Sequence, residues 1–152
     1  WSPNSVSMPG TEANAMKNYY PGDMYVDWLG VSCYPPSLSA TYPEDRRYPL
    51  TLMQGIKQVS ADKPIMISEG GYSSTCDHQR WVREWFKLKD EEPRVKVVVW
   101  ENHENAENGD RRLQSDPLAL ELYKELVQDP YWLDLIPDAV YSEIETRKNN
   151  SK

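Results

Sequence analysis

Three short, almost wholly apolar runs, each followed by a stretch of helical periodicity, set the strongest limit on what this chain can fold into. They are YVDWLGVSCY (residues 25–34), PIMISEGG (64–71) and VKVVVWENHE (95–104). Strands with one wet face alternate apolar and polar residues; strands apolar throughout belong to parallel sheets covered on both faces. Between the first two runs, Leu52, Met53, Ile56 and Val59 recur at helical spacing and predict a helix over 50–60. After the second run, Trp81, Val82, Trp85 and Phe86 predict another, with Asp77 as its N-cap and Pro93 as its stop. A third helix is predicted after the last run, from the N-cap Asp116 and the first-turn Pro117. Its apolar stripe is Leu118, Ala119, Leu122, Tyr123, Leu126 and Val127, and Asp129-Pro130 ends it. The repeated order of strand and helix is that of parallel βα units, an α/β fold.

The remaining segments are punctuated rather than periodic. Residues 1–22 carry Pro3, Pro9, Gly10, Pro21 and Gly22, and read as loop with one short helix near 12–18. Pro35, Pro36, Pro43 and Pro49 keep the stretch after the first strand irregular. After Pro137 one more short helix is expected, then a polar tail, so residues 1–137 form the folded unit and 138–152 the tail. Asn149-Asn150-Ser151 in that tail fits a glycosylation acceptor only by accident of composition.

Composition excludes several classes. With 17 basic and 24 acidic residues among 152, the net charge is −7, the wrong sign for a nucleic-acid partner. No apolar run is long enough for a membrane span. No leader segment precedes Trp1, which leaves the compartment open. Cys33 and Cys76 lack zinc-site spacing and fit either one bridge or two inert thiols. No glycine-rich phosphate loop follows any strand. Six Trp and ten Tyr stand against one Phe, so nearly every ring carries a polar handle. Such rings suit interfaces and sugar-binding clefts, or simply Tyr-rich loops.

In parallel βα folds, reactive residues sit at the C-terminal ends of strands. That rule selects Tyr34, Glu69 and the Trp100-Glu101 pair. Glu69 follows Ile65-Met66-Ile67-Ser68 and precedes Gly70-Gly71, which let the backbone turn away. A carboxylate there, among Tyr and Trp rings, has what glycoside cleavage requires; it also fits a solvated strand end.

Several segments carry a resemblance. NYYPGDMYVDWLGVSCY (18–34), KPIMISEGGY (63–72), WSPN (1–4), VVVWENHE (97–104) and DPLALELYKELVQDPYW (116–132) resemble, in order, segments of the family 26 glycoside hydrolases, the β-mannanase-like (β/α)8-barrel enzymes. The match runs from the end of that family's fifth strand to its last helix. It implies an α/β fold with parallel βα units making strands five to eight of a TIM barrel. It further implies Glu69 as nucleophile of a retaining mechanism, Tyr34 as its hydrogen-bond partner and Trp100 as a sugar-stacking platform. Trp1 and Asn4 would lie at the rim, and His103 could touch substrate.

The resemblance implies a polysaccharide or oligosaccharide substrate such as mannan, a secreted protein, and no cofactor or metal. This sequence departs from the family at Ser32-Cys33, where an acidic residue and a glycine are usual, and at 101–116, where an Asp-Trp-Arg stretch is common. The acidic run Glu101, Glu104 and Glu107 reads as a solvated loop. The segment that carries the family's acid/base glutamate has no counterpart here. Three strands cannot close a barrel, so another chain or a second copy is expected over the open strand edges. The rival reading is a non-catalytic carbohydrate-binding or interaction module.

Overall fold

The structure, a computed structural model, describes residues 1–35, 48–74, 76–105 and 109–132. It is mixed α/β. Three strands, β1 (Leu29–Cys33), β2 (Ile65–Gly70) and β3 (Val95–Trp100), form a parallel sheet in sequence order. The register runs Leu29 to Ile65 and Val31 to Ile67 on one side of β2, and Ile65 to Val95 and Ile67 to Val98 on the other. The N-terminal segment extends the sheet past β1. Gly30 N–H donates to the Trp1 carbonyl at 2.7 Å, Ser32 N–H to Pro3, and Asn4 bridges Ser32 in the parallel sense.

The helices lie on one face. The stretch expected as a single helix over 50–60 is two short turns, α1 (Pro49–Leu52) and α2 (Gln54–Lys57), parted at Met53. Met53 and Ile56 are fully buried, so the apolar spacing serves packing although the helix is broken. The next helix, α3 (His78–Glu91), begins where the cap indicated, with Asp77 accepting from Arg80 N–H at 2.9 Å. The last described helix, α4 (Pro117–Leu126), starts at Asp116, whose carboxylate accepts from Leu118 and Ala119 N–H. His78 ties the two starts together, with Nδ1 2.9 Å from that Asp116 carboxylate and its ring stacked on Tyr72 at 3.9 Å. Burial between sheet and helices is carried by Leu29, Val31, Ile65, Ile67 and Val95 below, and by Trp81, Val82, Trp85 and Leu88 above.

Three expectations need correction. The first strand starts four residues late, at Leu29, because Tyr25 and Trp28 stand exposed before it. The third is not buried throughout: Lys96 and Val99 are exposed, Val99 at 44%, because its second face has no covering layer among the described residues. Beyond it, the 95–104 run does not continue as one strand. The chain turns into a short antiparallel ribbon, β4 (Glu104–Asn105) with β5 (Gly109–Asp110). The two cysteines are free thiols; Cys33 lies under the helices, where burial pushes its pKa up to about 12. The prolines at 36 and 43, Glu107, the helix after Pro137 and the tail lie outside the described residues.

Gly70 is where sheet and helix layer come closest. A Cβ there would sit 2.5 Å from the Cys33 carbonyl oxygen and inside the Trp85 ring. Neither Gly70 nor Gly71 has a positive φ, so Gly70 is required by close packing and not by a turn. Gly70→Ala should therefore lower stability by ~1–3 kcal/mol through overpacking, read as a lower urea midpoint at unchanged slope. A midpoint equal to wild type would show that Trp85 yields freely.

Candidate functional site

A bulge in β2 decides which way its carboxylate points. Between Ile67 and Gly70, β2 has two residues, Ser68 and Glu69, where β1 has only Ser32 and β3 only Val99. Ile67 and Gly70 both face the helices, as do Val31 and Cys33 in β1 and Val98 and Trp100 in β3. The extra residue absorbs the break in alternation and leaves Glu69 exposed on the other face. Tyr34 follows Cys33 and Glu101 follows Trp100, so strand parity sends both to that same face at the C-terminal end of the sheet.

There the side chains meet. The Tyr34 hydroxyl donates to Glu69 Oε1 at 2.5 Å. The Arg111 guanidinium lies over the Tyr34 ring, its carbon 4.1 Å from the centroid, and its Nη1 donates to Glu101 Oε2. The other Glu101 oxygen, Oε1, is 3.2 Å from His103 Nδ1. Backbone bonds fasten the group: Glu101 N–H to the Gly70 carbonyl at 2.7 Å, and Arg111 N–H to the His103 carbonyl at 3.1 Å. Burial, then the neighbouring carboxylates of Glu101 and Glu69, drive the Tyr34 pKa well above the usual tyrosine value, because each disfavours a phenolate. The arrangement presents an accessible carboxylate with a fixed hydroxyl donor on one oxygen and the other oxygen outward.

Some expected site residues are elsewhere. Trp100 does not share the open face with Glu69. Its ring packs edge-on against Tyr72, Trp85 and Tyr123, and its Nε1 donates to the Arg111 carbonyl at 3.0 Å. The reason is parity, since Trp100 pairs with Gly70 on the helix side. Trp1 and Asn4 flank β1 and line a cavity of about 180 Å3 with Met16 and Tyr19; the Trp1 ring meets Tyr20 edge-on at 5.1 Å. His103 is in the cluster, but against Glu101.

Arg111 escaped the sequence reading. Glu101, selected at its strand end but also read as part of a solvated loop, has a side chain only 15% exposed, and its partner Arg111 only 8%. Glu104 is solvated as expected, at 65%, and pairs with Arg112. The available signal was the dipeptide Asn108-Gly109, a hairpin preference in the sequence; β4 and β5 pair antiparallel, and Arg111 N–H meets the His103 carbonyl. Among the described residues, no group of three or more His, Cys, Asp or Glu could hold a metal ion, and no helix is long and apolar enough to cross a membrane.

The hydroxyl of Tyr34 should stay protonated above the usual tyrosine range. A group held neutral in the folded chain gives stability that is full below the unfolded pKa of ~10 and lost as pH rises past it. In NMR of chain labelled at tyrosine Cζ, the Tyr34 signal should keep its protonated shift until the chain unfolds in alkali. Ionisation of Tyr34 in the folded chain at ordinary tyrosine pH would contradict the geometry.

No protein-family model matches the chain, and no curated protein matches it.

Proposed function

We propose that this chain is the C-terminal portion of a (β/α)8-barrel glycoside hydrolase similar to family 26. In this reading it acts by a retaining mechanism on a β-linked polysaccharide such as mannan, with Glu69 as the nucleophile. The observation that carries the reading is the Tyr34 hydroxyl on Glu69 Oε1 at the mouth of adjacent parallel strands. It is supported by the sequential strand order and by the Trp1–Asn4 backbone lying parallel to β1, where a preceding barrel strand would end. Glu69 Oε2 would attack the anomeric carbon as its bond to the glycosidic oxygen breaks. That oxygen takes a proton from an acid, and water later displaces Glu69 from the sugar. Tyr34 would hold the carboxylate in the attacking orientation.

The acid is the open part of the reading. A retaining enzyme needs a second carboxyl group ~5–5.5 Å from the first. Glu101 is the nearest candidate by strand position, but Arg111 and His103 already engage both of its oxygens. The donor would come from strands carried by another chain; that chain, or a second copy, would cover the β3 edge. The same observation favours the second reading, a carbohydrate-binding module without turnover. Secretion follows only from the family resemblance and is proposed with it.

An activated substrate separates the two readings, because its leaving group departs without a proton. The test incubates the chain with 2-deoxy-2-fluoromannosyl fluoride: the Glu69 oxygen bonds to the anomeric carbon, fluoride leaves, and the 2-fluorine slows release. Mass spectrometry should find one fluorosugar on the peptide holding Glu69 and none in Glu69→Gln. Mannan binding without labelling would support the module; neither binding nor labelling would remove the carbohydrate reading. Sedimentation of the same sample should show association beyond the monomer.

A further inference from the structure

We propose that Arg111 and His103 are positioning residues that occupy the two oxygens of Glu101 and so direct the Tyr34 hydroxyl onto Glu69. The site holds a choice between two acceptors. Tyr34 has one proton to give; Glu69 accepts it, and the guanidinium that covers the Tyr34 ring holds the Glu101 carboxylate beside it. In the structure the proton goes to Glu69. Glu101 Oε2 is taken by Arg111 Nη1, and Oε1 faces His103 Nδ1 at 3.2 Å. A carboxylate whose charge is drawn to a guanidinium and an imidazole is a weaker acceptor for a third donor.

Arg111 is an expensive residue to place here. Its Nε is buried and has no hydrogen-bond partner. Buried donors are almost always paired, so a guanidinium kept in this position with an orphan N–H calls for a reason beyond packing. Its two strong contacts supply one: the Glu101 oxygen that would compete, and the face of the ring whose hydroxyl is being directed. The His103 side chain is half exposed and makes its close polar contact with Glu101, so it does the same task from solvent. The antiparallel pairing of β4 with β5 explains why these two act together, since it leaves Arg111 N–H bonded to the His103 carbonyl.

This inference takes from the glycosidase reading only that Glu69 is the site carboxylate, and its test involves no sugar, so the two can fail separately. The readout is proton NMR of the full chain. A hydroxyl proton held on a carboxylate at 2.5 Å resonates far downfield and exchanges slowly with water, and Tyr34→Phe identifies it by removing the signal. Arg111→Gln frees Glu101 and should speed exchange of that proton about tenfold, the loss of roughly one charge-assisted hydrogen bond. Adding Glu101→Gln to Arg111→Gln removes the competitor and should bring exchange back to within about twofold of wild type. A residue that merely braces the fold would show no such rescue, since the second change cannot restore a lost brace.

Unchanged exchange in Arg111→Gln, or no rescue in the double variant, overturns the proposal. Should Arg111→Gln lose the wild-type amide spectrum, His103→Ala decides, because its exposed side chain can be removed without disturbing the core. It should speed exchange about threefold, a fraction of one hydrogen bond, and Glu101→Gln should reverse it. Exchange at the wild-type rate in His103→Ala overturns the proposal as surely.

Discussion

The seat of Trp85 on Gly70 is the constraint from which the rest of the structure follows. The indole occupies the space where any side chain at position 70 would be, and the Cys33 carbonyl oxygen of the neighbouring strand crowds the same space. With Gly70 fixed toward the helices and Ile67 also facing them, the two residues between cannot both obey alternation. The bulge at Ser68 and Glu69 resolves that conflict. It turns a carboxylate that strict parity would misplace onto the face opposite the helices. Trp85 makes no hydrogen bond through its buried indole N–H, so apolar contact with Trp81, Trp100 and the sheet holds it in place.

From that point the site is built by backbone geometry and then by charge. Equal parity carries Tyr34, Glu69 and Glu101 to one face from three successive strands, and the Glu101 N–H to Gly70 carbonyl bond ties the last two together. Arg111 arrives from a different element, the β4–β5 ribbon, and closes the group from above. Glu101 is ion-paired with Arg111, burial and the neighbouring carboxylates keep Tyr34 protonated, and Glu69 accepts the Tyr34 hydroxyl on one oxygen with no further hydrogen bond among the described residues. Such a carboxylate is suited to form a bond to a carbon centre, which is why the glycosidase reading is the one proposed.

The open face of the sheet is the other consequence. Among the described residues the helices cover one side of the parallel sheet only, which leaves Val99 and Lys96 exposed, an uncommon condition for a strand of nearly continuous valine. The valines of β3 are chosen as if a second layer existed. In a closed barrel the facing strands supply that layer, and here the proposed partner strands would do so. In the proposed reading the same partner strands would carry the acid, which would give the open face and the absent acid one common explanation.

By itself the sequence determined the elements and their order. Continuous apolar runs mark parallel strands, Asp77 and Asp116 mark helix starts, and both caps form the expected bonds, because strand burial and capping depend on near neighbours in the chain. The Tyr34 and Glu69 positions were legible too, since strand ends are visible in the pattern. What only the tertiary structure decided is orientation. Trp100 and Glu101 are adjacent in sequence, yet one ring joins the helix layer while the next carboxylate joins the site, and a register shift early in β3, between Val95 and Val97, sets which is which. Arg111 lay further from view. Its role depends on a ribbon folding back across the end of β3, and a contact between residues ten apart through a turn leaves no periodic trace. Periodicity records which residues share a face of one element; it carries no information about how a register shift in one strand re-aims its neighbours.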